Sequence, residues 1–293
     1  MASDSAEFIA PLLAAFTTGG LLGLSGSLMQ TVLRNPLAEP YMLGITGGAG
    51  LFITLATHVG LTALGALVLP ASALLGALAS LAVVTATAAF AARRKSALTD
   101  AVQLNAPGDI VILAGFVTAS MTCSLQMLVL SYAADGTFAA VSKWLFGDLR
   151  HVSVPAWTAA TAVLVAACAL MTAKAKELDV LSLGADRAEC LGLDTRSLTL
   201  VALGTASVAT AFAVATSGAI GFVGLVVPHV ARRVFGERNR RALLGSALVG
   251  GLALAVAELV GRELPGELSA GVVTALLGSP AFLTLLAFRR PQG

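Results

Sequence analysis

The sequence predicts an all-α polytopic membrane protein, and two observations carry the prediction. Of its 293 residues 57% are hydrophobic and only 12% charged, with a mean hydropathy of +0.89, whereas a soluble domain carries roughly a quarter charged residues. The apolar residues also gather in windows of about 20, long enough to cross roughly 30 Å of hydrocarbon as helices whose backbone hydrogen bonds close internally. Nine windows follow along the chain: 8–30, 42–60, 62–90, 110–132, 155–173, 197–216, a short one at 219–234, 242–261 and 268–287.

The opening Met1 to Glu7 is acidic and has no basic n-region of a cleavable signal, so the first window reads as a retained helix. In that helix Gly19, Gly20, Gly23 and Gly26 form a small-residue face, which either admits close helix neighbours or lines a passage. The helix runs directly into Arg34-Asn35-Pro36-Leu37-Ala38-Glu39-Pro40, a proline-stopped polar break where a span meets water. Gln30, and Gln126 in the fourth window, are polar groups in apolar surroundings; each needs an inter-helix hydrogen bond or a substrate contact.

After the fourth window, Ser131 to Asp148 mixes turn, aromatic and basic residues and reads as an external interfacial segment, with Trp144 and Trp157 as headgroup-layer anchors. The polar stretch 174–196 contains leucines at 178, 181, 183, 191 and 193, which can give one apolar edge to two short helices broken by Gly184 and Gly192. Such a pair docks against either a lipid surface or a soluble partner. The short window 219–234 ends in Pro228-His229 and Arg232; Glu258 lies near the end of the window 242–261, and Arg262, Glu263 and Glu267 fall between the last two windows.

Fifteen of the eighteen Lys and Arg residues fall in alternate connections or at the C-terminus: Arg34; Arg93, Arg94 and Lys95; Lys174, Lys176, Arg187 and Arg196; Arg232 to Arg241; and Arg289 and Arg290. By the positive-inside bias these connections face the cytoplasm, as does the C-terminus, leaving Lys143, Arg150 and Arg262 outside. Nine spans then put the N-terminus outside without a basic flank, which reads as a chain lacking one preceding helix.

No enzyme site emerges. His58, His151 and His229 stand apart from metal-ligand partners, and Cys123, Cys168 and Cys190 follow neither metal nor disulfide spacing. No glycine-rich loop ends in Gly-Lys-Ser or Gly-Lys-Thr, so any work needing ATP requires another chain to bind it. Neither a cofactor nor a nucleic-acid partner is expected.

Four motifs in order carry a resemblance: Gly23, Ser25, Gly26, Gln30, Arg34, Asn35, Pro36, Leu37, Pro40 and Gly44; Leu181, Leu183, Gly184, Arg187, Ala188, Leu191 and Gly192; Gly221, Phe222, Gly224, Pro228, His229 and Arg232; and Gly271, Thr274, Gly278 and Pro280. Together they resemble the FecCD/BtuC-like permease subunits of iron-siderophore, haem and cobalamin ABC importers. The resemblance implies one transmembrane permease domain over 1–293, of the type II importer fold, with 178–193 as a cytoplasmic coupling segment within it. It implies a second copy of the chain, two cytoplasmic ATP-binding subunits, an external substrate-binding protein, and a place in the bacterial inner membrane. The passage would lie on the dimer axis, lined in part by 110–132 and 268–287, and Arg262 with Glu267 would meet the binding protein, an intrachain ion pair being the rival for Arg262.

Three departures from the family's pattern stand out. The chain opens at Phe8-Ile9-Ala10-Pro11 where relatives begin with one more helix; Glu267-Leu268-Ser269 lacks a proline common in relatives; and Glu258 stands where aspartate is frequent. The implied cargo is an iron complex, with cobalamin second. The competing classes are an ion-coupled secondary transporter, for which Glu258 is the one candidate relay, and a subunit that transports nothing.

Overall fold

Apolar residues without polar relief build the long helices, and glycine or proline sets several of their ends. The computed structural model describes residues 2–65, 67–93, 107–133, 135–147, 149–150, 152–264 and 268–287. Arg94, Lys95, His151, Glu267, Arg289 and Arg290 lie outside them. The described residues form α1 (Ala2–Val32), α2 (Ile45–His58), α3 (Val68–Arg93), α4 (Pro107–Ser131), α5 (Asp135–Leu145) and α6 (Val154–Ala173). They continue as α7 (Ala175–Ser182), α8 (Ala185–Cys190), α9 (Thr195–Ser217), α10 (Val223–Phe235), α11 (Asn239–Glu263) and α12 (Ala270–Ala287). Six stretches, within α1, α3, α4, α6, α9 and α11, are long and apolar enough to cross a membrane. The fold is all-α and multi-pass.

The central helix is α1, buried on nearly every side from Ala14 to Thr31. It fits there because its contact face has almost no side chain: a Cβ on Gly19 or Gly23 would strike the backbone of Gly250 or Ser246 on α11, and one on Gly26 would strike Gly224 on α10. Backbones thus approach as in small-xxx-small packing. Polar ties add direction, with the Ser25 hydroxyl 2.7 Å from both the Ala206 carbonyl and the Thr210 hydroxyl of α9.

Two helices are shorter than their apolar windows. The window 42–60 yields a helix only from Ile45, because Pro40–Leu43 forms a 3-10 turn that Gly44 ends at φ +68. Likewise α10 starts at Val223, after Phe222 takes up φ +67. At 14 and 13 residues, α2 and α10 extend about 20 Å, too short to cross alone. Gly224 packs on Pro40 and on α1 at Leu22 and Gly26, six to ten residues before the end of α1. Both breaks therefore lie roughly 9–15 Å inside that end.

Irregular backbone at such depth needs internal partners. The Ile220 N–H donates to the Tyr41 hydroxyl oxygen at 2.7 Å, the Phe222 N–H to Glu39 Oε1 at 3.0 Å, and the Ala219 N–H to the Trp144 carbonyl at 3.4 Å. The start of α12 closes on the same node, where Ser269 Oγ donates to the Phe146 carbonyl at 2.6 Å and Gly271 abuts Phe146 and Ala219.

Both tryptophans are half-buried against the bundle. Trp157 Nε1 donates to Thr17 of α1 at 3.2 Å, and Trp144 stacks beside Gly50 of α2. Both rings turn inward because α1 and α2 offer glycine- and threonine-sized gaps that an indole fills.

Candidate functional site

The segment 178–193 is built from two short helices turned apart by glycine. After α7, Gly184 adopts φ +122, which redirects the chain into α8. A Schellman closure ends α8: Leu193 N–H donates to the Ala188 carbonyl at 3.0 Å, Gly192 N–H to that of Glu189 at 2.9 Å, and Gly192 sits at φ +81. Asp194 then caps α9 by accepting the Ser197 N–H at 3.0 Å.

The five leucines do not form one edge. Leu178 and Leu181 are buried in the core and Leu193 packs against it, whereas Leu183 is 58% and Leu191 69% exposed. The break at Gly184 is the reason, since a single helical face cannot run across a residue in that conformation. The result is a division of labour: the first two leucines and Ala188 fasten the segment, while Leu183, Arg187 and Leu191 are left exposed. Exposed Arg34, itself at φ +48, sits against Gly184 and belongs to the same end of the molecule.

The motif residues after α1 make a turn. The Asn35 carboxamide accepts the Leu37 N–H at 2.9 Å and the Asn35 carbonyl accepts that of Ala38 at 3.0 Å, while Leu37 stays exposed. This delivers Glu39, Pro40 and Tyr41 to the inner break. Glu39 and Tyr41 were not singled out from the sequence; a carboxylate and a phenol flanking a proline in a break between apolar windows were the available signal.

Gln30 and Gln126 both resolve as helix-to-helix donors. Gln126 Nε2 reaches Thr54 of α2 at 3.1 Å. Gln30 Nε2 reaches the carbonyls of Gly224 and Leu225 on α10 at 3.4 and 3.2 Å. Pro228, inside α10, has no N–H to give Gly224 four residues earlier, and Gln30 supplies the missing donor. His229 Nδ1 lies 2.9 Å from the Leu225 carbonyl, and Arg232 donates to Thr31 Oγ1 at 2.9 Å. Gly221 faces open space, whereas a Cβ on Gly278 would come within 2.5 Å of the Phe222 Cβ, so α12 needs a glycine there. Thr274 donates to the Gly271 carbonyl at 3.0 Å, and Pro280 lies within α12.

Arg262 Nε donates to Glu258 Oε1 at 3.0 Å within α11, with Glu258 only 2% exposed. The carboxylate is thus ion-paired five residues from the end of the helix, not set as a relay in mid-span. Among the described residues no three His, Cys, Asp or Glu side chains gather as metal ligands.

A multi-pass bundle with two inward breaks and a short-helix pair presented at its arginine-bearing end has the architecture of a membrane permease. The chain belongs to the FecCD transport family, whose model matches residues 7–288. It is similar to the hemin transport system permease protein HmuU of Yersinia pestis, 34% identical over 96% of this chain and 82% of that protein. It is similar also to the cobalamin import system permease protein BtuC of Halobacterium salinarum, 36% identical over 93% of this chain and 70% of that protein. A solved inward-facing metal-chelate type ABC transporter superposes with a TM-score of 0.82 at 26% identity, covering 96% of this chain and 87% of the other. The protein is accordingly a permease of the metal-chelate type of ABC importer.

Proposed function

We propose that the chain carries an iron complex, a ferric siderophore or haem, into the cytoplasm as one half of a homodimeric permease in the bacterial inner membrane. The similarity to the hemin permease over almost the whole chain is the observation that supports the cargo. The similarity to the cobalamin permease favours cobalamin as the second reading. Two cytoplasmic ATP-binding subunits drive the cycle and dock on Leu183, Arg187 and Leu191, which are exposed while Leu181, Ala188 and the turns at Gly184 and Gly192 hold them in place. A second copy covers the exposed apolar faces of α4 and α12, where Phe116, Met121 and Leu276 lie. The external binding protein meets the end of α11 and the connection after it, at Arg262 and Glu267, where charge registers the partner. The basic end then faces the cytoplasm, as does the C-terminus.

The test is ATP-driven uptake in proteoliposomes holding the chain with the ATPase and binding protein encoded beside it, offered haemin, ferrichrome and cyanocobalamin separately. Uptake of haemin or ferrichrome that stops without ATP supports the iron reading. Uptake of cyanocobalamin alone replaces it with the second.

A further inference from the structure

Four polar side chains from four helices join at the arginine-bearing end of the bundle. Arg232 of α10 donates from a terminal guanidinium nitrogen to Thr31 Oγ1 at the end of α1, at 2.9 Å. The Thr31 hydroxyl lies 3.1 Å from Asn239 Oδ1, in the first turn of α11. Asn239 Nδ2 and the Asn239 backbone N–H both donate to Asp179 Oδ1 of α7, each at 2.8 Å. Thr31 and Asn239 are 4% and 2% exposed. Of the four, only Arg232 belongs to the motifs that carry the family resemblance.

The charges at the two ends set the direction of the bonds they make. A carboxylate only accepts, so the Asn239 amide must turn its NH2 toward Asp179 and its oxygen toward Thr31. The guanidinium only donates, so Thr31 accepts from Arg232. The single Thr31 proton has two acceptors within reach, the Ser27 carbonyl at 2.8 Å and Asn239 Oδ1 at 3.1 Å, so the link from α1 to α11 shares it with a bond inside α1. Breaking the link to Asp179 strands the buried Asn239 amide, at a cost of about 1–3 kcal/mol. The arrangement spans α7, α11, α1 and α10.

Among the described residues the other contacts of α7 with the bundle are apolar and non-directional. Leu178 and Leu181 are buried in apolar surroundings, and such contacts tolerate sliding and rotation at little cost. Asp179 is different, because its two bonds also satisfy the first backbone N–H of α11, one of the donors a helix N-terminus leaves open. A shift of α7 cannot keep both bonds unless α11 follows, and Thr31 and Arg232 carry the same requirement to α1 and α10.

We infer that Asp179, Asn239, Thr31 and Arg232 form a strut that converts displacement of the coupling segment into movement of α1, α10 and α11, with Asp179, Asn239 and Thr31 as positioning residues of the transport cycle. The inference rests on the reading of 178–193 as the ATPase dock.

The test is cargo imported per ATP hydrolysed, measured in proteoliposomes with the complete transporter and with haemin, ferrichrome and cyanocobalamin offered. Asp179→Ala and Thr31→Val each cut the strut at one link, and the ratio is expected to fall by between about 2-fold and 30-fold, with the ATPase still co-purifying at wild-type stoichiometry. The conservative variant Thr31→Ser keeps the hydroxyl and its bonds to Arg232 and Asn239, and it is expected to hold the ratio within about 2-fold of the wild type. Single cutting variants with an unchanged ratio, or a Thr31→Ser variant no better than Thr31→Val, would overturn the strut. Loss of the ATPase from the singles would make Asp179 a docking fastener and overturn it equally. A wild-type transporter that hydrolyses ATP without importing any of the three overturns the coupling reading itself, and the strut with it.

Discussion

The sharpest consequence of the bundle's construction concerns Gln30 and Pro228. Pro228 leaves the Gly224 carbonyl without its helical donor, and Gln30 fills the place from α1 at 3.4 Å while also reaching Leu225 at 3.2 Å. Gln30→Met keeps the length of the side chain and removes both bonds. A buried carbonyl left unpartnered costs about 1–3 kcal/mol, while single side-chain bonds inside membrane proteins average about 0.6 kcal/mol. Two bonds, one at the long end of the range, place the expected cost at about 1–2 kcal/mol. In a Pro228→Ala background the new N–H at 228 occupies the Gly224 carbonyl, and Gln30→Met then loses only the bond to Leu225, which His229 also approaches at 2.9 Å. The cost should fall below about 1 kcal/mol there. The measurement is a double-mutant cycle from reversible unfolding in mixed micelles. Equal costs in the two backgrounds, within about 0.5 kcal/mol, would refute the substitution of a side-chain donor for the missing backbone one.

Three further outcomes follow from the same geometry. Leu183→Asp combined with Leu191→Asp should change stability by no more than about 0.5 kcal/mol yet lower ATP-driven uptake at least tenfold, whereas Leu181→Asp buries a charge and should abolish folded protein; thermal unfolding and uptake on the same preparations separate the two. Gly26→Val drives a side chain into the Gly224 backbone, where nothing can yield, and should cost about 1–3 kcal/mol or more, seen as loss of monodisperse protein after extraction. Arg262→Ala strands the buried Glu258; with the arginine side chain itself 21% exposed, solvent screening trims the cost to about 1–3 kcal/mol, and restoration by the double variant Arg262→Ala with Glu258→Gln would confirm that the loss is electrostatic.

The positions of the long helices were legible because apolar length is a property of a window, and a window is read directly from the chain. The break at Arg34 to Pro40 was legible for the same reason. Its depth was not: Met42 and Leu43 are apolar enough to extend a helix, and only the 3-10 turn ended by Gly44 moves the start of α2 to Ile45. The break of 178–193 into two short helices at Gly184 was legible, but one shared apolar edge was not to be had, because the relative orientation of the two helices depends on the φ of +122 at Gly184, which no sequence pattern reports. Trp157 reads as a headgroup-layer anchor on its amphipathic character, and its partner, the Thr17 hydroxyl on α1, was not legible because it lies 140 residues away. Asn239 and Thr31 gave no signal at all, because an asparagine near a helix start and a threonine near a helix end are ordinary until a third helix supplies Asp179.

The two kinds of tie on α10 bear on how the bundle can move. At its start Phe222 is held by the Glu39 carboxylate at 3.0 Å in a backbone conformation that side-chain-bearing residues rarely adopt. At its other end Arg232 is held through Thr31. In between, Gly224 packs on α1 with no side chain to slide on, and Gln30 bridges to the carbonyls of Gly224 and Leu225. A helix of 13 residues tied at both ends and along one face is held to α1 over its length of about 20 Å. The bonds from the Ile220 N–H to Tyr41 and from the Phe222 N–H to Glu39 set the angle at which α10 enters the inner break, so a displacement of α10 relative to α1 must break or exchange them.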